Sequence, residues 1–506
     1  MEFCRDFCRI FINRSIDIKG LKNIASSIEF EFPFEMVLNH RVTGILITGL
    51  ILCLGCHADC GANSRNWRRP SGTFFGPKVC RINIDRLEYT PTQPMYAEVP
   101  IRPNSVHQIY PVNRNGEISF GGDRSVEIDC PNGFASNPNL KTMVVKCDHD
   151  DIVLTKSPNH RVRFEDLRCA GEALAMTMIR KEKCAMGKGI QIEFGFKVGT
   201  IWLPNTLACF DSNEKRTYWV RHQLLESSTH FQHKVERVEF AGAEFFDRLK
   251  MNAIYSPLGQ LDGFKTRLGQ KMANELISVD RNGIRLQRGH LSAVVEYPFG
   301  QQQRSMSHWV LVMPQWNIIN NEGGNWHTFE INIRSAVSES QINAEVYSGT
   351  HGTLKKNGIE LYASKFSKQV PVPQYYYKIL MDHQKKSAFV GIVVNDPFAN
   401  ATEIKNIYSR LCPDIYNQVD AKLWNHERLN PKYGYAFACT LKDFLGSVPE
   451  LAELMKYSNY SLMKFNSYFP KFQPRRSQSA PESRSHRRYD DTFSGYTSSN
   501  RRRNFG

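Results

Sequence analysis

The stretch from Gln287 to Glu330 limits what this chain can fold into more than any other, because the hydrophobic pattern changes period inside it. Ile284 to Val295 alternates in part and is rich in β-branched and aliphatic residues, which predicts a strand with His290 at or near its end. Trp309 to Met313 is a short apolar run and reads as a second strand, with Pro314 expected to end its pairing. Asn317 to Asn325 is full of turn-forming Asn and Gly, and from Trp326 the spacing through Phe329, Ile333 and Ala336 is helical. The predicted order is strand, loop, strand, loop, helix.

If the two strands pair and the helix packs back on them, His290 faces the loop at the helix start. Amide and carboxylate oxygens in that loop suit one hard divalent ion, and Gly289 permits close backbone approach. A base on one side of a phosphodiester and a cation on the other is a workable hydrolysis site. The plainer alternative is that His290 is a satisfied histidine at a strand end. On that reading Asn317, Asn320, Asn321 and Asn325 only form turns and caps.

The stretch carries Arg288-Gly289-His290-Leu291, Glu296, Gln302-Gln303-Arg304, Pro314-Gln315-Trp316, Gly323-Gly324-Asn325-Trp326 and Glu330 in that order. Val346 to Gly352, Val372-Pro373 with Tyr377-Lys378, and Trp424-Asn425 with Gly434-Tyr435 follow. In these residues the chain resembles the DNA/RNA non-specific endonuclease family over roughly residues 200–450, and within it the arthropod secreted nucleases that degrade double-stranded RNA. The resemblance implies an α+β fold: a ββα-metal nuclease domain with a central antiparallel sheet flanked by helices. It also implies that His290 takes a proton from water, that Arg288 contacts phosphate, and that Glu330 supports metal-bound water. One Mg2+, or Mn2+ in its place, would be held through an asparagine oxygen, with Arg304 and Gln315 as substrate contacts. Counting forward from Pro314-Gln315 makes that asparagine Asn320, and aligning on Gly323-Gly324-Asn325-Trp326 makes it Asn321. Counting back along a helix from Trp326 points to Glu322. The chain departs from the family pattern at Gln287, where an acid is common, and at Leu311, where an asparagine is often found.

The remaining sequence sets the context. Its 506 residues leave room for two to four domains, and 41% hydrophobic with 23% charged residues is a globular composition. Residues 1–58 read as a leader and signal peptide, with Met36 as an alternative start, because Val42 to Cys56 is uncharged and too short for a comfortable membrane span. Nine of the 13 cysteines lie after residue 58 without close CxxC pairs, which argues against zinc and for disulfides, with Cys60 the expected odd one. Residues 59–200 are expected to form a small β-rich, disulfide-braced module, and residues 201–465 the nuclease domain. His222, His230 and His233 are expected in core or surface roles. Asn400-Ala401-Thr402 and Asn459-Tyr460-Ser461 are glycosylation acceptors. Residues 466–506 read as a disordered basic tail, and the net charge of +15 favours polyanions.

These features lead to the expectation of a secreted, metal-dependent endonuclease acting on DNA and RNA, double-stranded RNA included, with little sequence specificity. The rival is a catalytically weak or inactive secreted nucleic-acid or polyanion binder of the same descent, and a third reading is a matrix protein that binds acidic glycans. No obligate protein partner and no stable membrane insertion are expected.

Overall fold

Residues 78–99, 108–122, 124–155, 160–419 and 422–466 are described by the computed structural model. The leader, Cys60 and the tail beyond residue 466 lie outside them. Two-residue alternation shapes the first layer: β1 (Val79–Asn83) and β3 (Glu117–Gly121) pair, and each buries every second residue. β2 (Met95–Glu98), β4 (Val126–Asp129), β5 (Thr142–His149), β6 (Ile152–Thr155) and β7 (Arg161–Arg163) form an antiparallel sheet in that order. Its core gathers Ile118, Phe120, Val126 and Phe164, and disulfides Cys80–Cys147 and Cys130–Cys169 brace it. Such bridges help a small core chiefly by restricting the unfolded chain.

The large sheet starts with β8 (Met176–Cys184), β9 (Gly189–Val198), β10 (Ile201–Asp211) and β11 (Arg216–Leu224). The boundary expected at residue 200 falls in the tight turn between β9 and β10, which are neighbours in one sheet. The chain then leaves the sheet for α1 (Met251–Ile254), α2 (Pro257–Leu268) and α3 (Gln270–Leu276), followed by β12 (Leu286–His290), α4 (Gly300–Ser305), β13 (Val312–Trp316), α5 (Asn317–Asn320) and α6 (Asn325–Glu339). It returns as β14 (Ala344–Thr353), a small hairpin of β15 (Lys355–Lys356) and β16 (Ile359–Glu360), then β17 (Pro373–Asp382) and β18 (Ser387–Val394). After α7 (Ala401–Asn406), β19 (Ala436–Cys439), α8 (Leu441–Ser447) and β20 (Ser461–Leu462) close the described chain.

Among the described residues the large sheet has nine strands, in the order β19-β18-β17-β14-β11-β10-β9-β8 with β20 alongside β18. All its pairs are antiparallel except β18 with β20. β18 is buried along its whole length, as a strand covered on both faces must be. Disulfides Cys184–Cys209 and Cys412–Cys439 complete the pairing of every cysteine among the described residues.

Helical spacing turns Trp326, Phe329, Ile333 and Ala336 to one side of α6, and all four are fully buried. They land on the large sheet: Trp326 lies 5.3 Å from Tyr376, and Phe329 lies 6.2 Å from Phe389. Gly391 lets this happen, since a Cβ there would come within 2.4 Å of the Phe329 ring. β12 and β13 form the predicted antiparallel pair, but Pro314 does not end it and instead sits opposite Arg288 inside β13. Side chains, not a third strand, cover the far edge of β13. Tyr376 donates its hydroxyl to the Met313 carbonyl at 2.8 Å, Asn395 Nδ2 donates to the Pro314 carbonyl at 3.1 Å, and Asn395 Oδ1 accepts from the Trp316 amide at 3.1 Å. On an edge where no ladder bond is asked of it, proline costs little.

Candidate active site

Strand β12, helix α5 with the turn after it, and the first turns of α6 meet around a cavity of about 620 Å³. Residues two apart on a strand share a face, so Arg288 and His290 both reach this cavity from β12. Gly289 between them packs the other way, tight against the core. A Cβ added there would stand 2.5 Å from Gln315 Oε1 and 2.7 Å from the Tyr376 hydroxyl. Gly289→Ala should therefore cost about 1–3 kcal/mol of stability by overpacking, read as a lowered urea midpoint with the slope unchanged. An unchanged midpoint would contradict the packing described.

His290 is half-buried; its ring is bonded to the Met306 backbone, and Nε2 has no hydrogen-bond partner among the described residues. Burial, reinforced by the charges of Arg237 and Arg288, pulls its pKa down to about 4. At neutral pH the ring is therefore uncharged and has a nitrogen free to accept a proton. Arg288 has no carboxylate partner among the described residues. Its guanidinium lies 5.0 Å from the Phe240 and Trp309 rings and 5.9 Å from Tyr255, and Nη2 donates to Asn252 Oδ1 at 3.0 Å. Burial lowers its pKa without discharging a guanidinium. The aromatic rings hold the cation without neutralising it.

Gln287, where the family pattern has an acid, is bonded elsewhere: its Oε1 accepts from Asn320 Nδ2 at 3.2 Å. Asn252 and the three rings orient Arg288 instead. This bond from the Asn320 amide nitrogen leaves the carbonyl oxygen of Asn320's side chain without a protein donor among the described residues. Asn321 and Glu322 are exposed and line the same cavity. Glu330 reaches it from α6, and burial raises its pKa to about 7, with Lys378 opposing and Glu296 adding to the rise. Among the described residues no group of three or more His, Cys, Asp or Glu side chains converges as a metal site. One hard ion held through an amide oxygen, with water as its other ligands, fits Asn320, its two neighbours and Glu330.

Two expected contacts are not at the cavity. Arg304 pairs with Glu172 at 2.7 Å and lies over Tyr89, so it ties α4 to the N-terminal layer. Its neighbours Gln302 and Gln303 are buried in the same seam, where they donate to Asn205 and to the Gln232 and Tyr297 carbonyls. Gln315 is fully buried beneath Gly289, where no polynucleotide reaches it. Leu311, in a single 3-10 turn before β13, is core.

The profile of the DNA/RNA non-specific endonuclease family matches residues 189–444, which include every element of this cavity. The chain belongs to that family. An endonuclease of this family is a hydrolase with a nucleic acid substrate. Similar proteins include a "Salivary endonuclease" of Lutzomyia longipalpis, 25% identical over 65% of this chain and 78% of the relative. A "Salivary endonuclease" of Culex quinquefasciatus is 25% identical over 51% of this chain and 66% of its own, and "Salivary protein Tsal2A" of Glossina morsitans morsitans is 26% identical over 24% and 30%. A solved structure of an EndoG/EndoGI complex covers 39% of this chain and 74% of its own at 17% identity, with a TM-score of 0.27, too slight a likeness to argue from.

Motif spacing alone does not identify every residue around the endonuclease's cavity. Arg237 lines it from a loop more than fifty residues before His290, and its charge acts on that ring. Asn252 reaches Arg288 from α1. His327 lines the cavity one helical turn before Glu330. No pattern in the sequence singles out Arg237 or Asn252, and only the fold brings them to the cavity.

Proposed function

We propose that this chain is a secreted, magnesium-dependent endonuclease that hydrolyses phosphodiester bonds of RNA and DNA, double-stranded RNA included, with little sequence specificity. The observation that carries the reading is a neutral His290 with an unpartnered Nε2 in the same cavity as the uncommitted Asn320 oxygen. His290 takes the proton of the attacking water at Nε2. Arg288, already ordered by its rings, binds a non-bridging phosphate oxygen, and Arg237 adds a second positive charge at the mouth. Asn320, with Asn321 or Glu322 as the alternative, would hold the divalent ion, and Glu330 would fix its waters. When bound, that ion stabilises negative charge on the phosphate and on the departing 3′ oxygen.

Little base preference follows from contacts made to phosphate and sugar, which carry no sequence information directly. Export is supported by the disulfides, the uncharged run at Val42 to Cys56 and the three relatives named as salivary. No helix among the described residues is long and apolar enough to cross a membrane. Purified protein incubated with labelled RNA and DNA should cleave both with Mg2+ and neither in EDTA. Salt-sensitive binding with no cleavage in either condition would replace the enzyme with a polyanion-binding relative.

A further inference from the structure

Hydrolysis of a phosphodiester needs a proton at each end: one leaves the attacking water and one reaches the departing 3′ oxygen. His290 accounts only for the first. The cavity holds a second imidazole. His327 lines it from α6, three residues before Glu330, and positions three apart on a helix share a face. Its side chain is half-buried, and among the described residues no hydrogen bond or ion pair engages the ring. The other histidines among the described residues that lie near carboxylates are engaged: His149 with Asp148, His222 with Glu296, His230 and His233 with Asp85, His351 with Glu450, His383 with Glu345, and His426 with Glu427. His327 and His290 therefore enter one cavity from different elements, a helix and a strand, with their rings uncommitted to carboxylates.

We infer that His327 is the general acid of the reaction, delivering a proton to the 3′ oxygen as it leaves. This rests on the endonuclease reading above. The bond from the water oxygen to phosphorus forms while the bond from phosphorus to the 3′ oxygen breaks. The water proton goes to His290 Nε2, and the His327 ring gives a proton to the leaving oxygen. The products are a 5′ phosphate and a 3′ hydroxyl, and the two rings exchange protons with solvent to reset. Glu330, on the same face of α6, is a control, because it serves the metal-bound waters whatever group leaves.

The test compares an oligonucleotide carrying one natural linkage with one carrying a 3′-bridging sulfur, whose thiolate leaves without needing a proton. On the natural linkage His327→Gln should lower kcat about 100-fold, within the range for general acids, with KM little changed. On the sulfur linkage the loss should shrink to a few-fold, while His290→Ala and Glu330→Gln lose activity on both. Affinity for the oligonucleotide in EDTA, unchanged in His327→Gln, shows that the variant is folded and still binds. Equal losses on the two linkages, a change confined to KM, or full activity on the natural linkage each overturn the assignment. If the wild type cleaves neither linkage, the endonuclease reading falls as well, and the two failures are thereby distinguished.

Discussion

Replacing His290 with alanine is expected to remove cleavage while leaving polynucleotide binding in place. The ring is the base in the proposed reaction, and such groups contribute about 10²–10⁴-fold. Binding comes from Arg288, Arg237 and the wider positive charge, which the substitution does not touch. The pH dependence has a definite sign. With a pKa near 4, below the 6.5 of a free imidazole, the ring stays neutral through mildly acidic solution. The acidic limb of kcat/KM due to this residue should therefore fall near pH 4. Stability moves with it. As pH drops from 6.5 toward 4 the unfolded chain takes up this proton before the folded one does, so His290 withdraws stability across that window. His290→Ala should flatten the same part of the stability curve. A loss of activity under tenfold would remove His290 from the role of base.

Much of the stretch from Gln287 to Glu330 was legible because local patterns decide it. The spacing of Trp326, Phe329, Ile333 and Ala336 survives folding unchanged, since one face of α6 must meet the sheet. Arg288, His290, Asn320 and Glu330 lie close in sequence, and the pairing of β12 with β13 is short enough to gather them around one cavity. What was not legible depends on distant partners. Pro314 stays inside a strand because Tyr376 and Asn395, sixty and more residues later, take over the edge. Arg304 and Gln315 belong to motifs that look like site motifs, yet one docks a layer and the other fills space under Gly289. A motif records that a residue is constrained, and packing against the rest of the fold decides whether the constraint is chemical or structural. The boundary placed at residue 200 falls in a two-residue turn within a sheet, which looks locally like a break between modules.

Lys378→Met should be the most damaging single substitution for folding. The Lys378, Glu296 and His222 side chains are completely enclosed, with Lys378 Nζ paired to Glu296 Oε1 and His222 Nε2 2.8 Å from Oε2. Burial alone would push the Glu296 carboxyl up, but Lys378 and His222 outweigh it and hold the group well below the carboxylate range. Removing the lysine leaves a buried charge without its main partner, at a cost of about 3–5 kcal/mol. The sign with pH follows from which form is then favoured. In the wild type the depressed carboxyl contributes stability above the ordinary glutamate pKa and loses it as pH falls. In Lys378→Met burial prevails, the Glu296 pKa rises, and the penalty is relieved once the carboxyl protonates. The gap between the two proteins in urea unfolding should therefore be widest at neutral pH and narrow toward pH 4. Glu296→Gln added to Lys378→Met should recover part of the loss, because no unpaired charge then remains. The effect reaches the site as well. Glu296 closes the segment from Leu291 that forms one wall of the cavity through Ala293, Val294 and Val295, and Lys378 also holds down the Glu330 pKa. Activity per folded molecule should fall in Lys378→Met even where the protein is stable. A gap below about 1 kcal/mol, constant with pH, would show that the Lys378 charge is not what fixes that wall to the sheet.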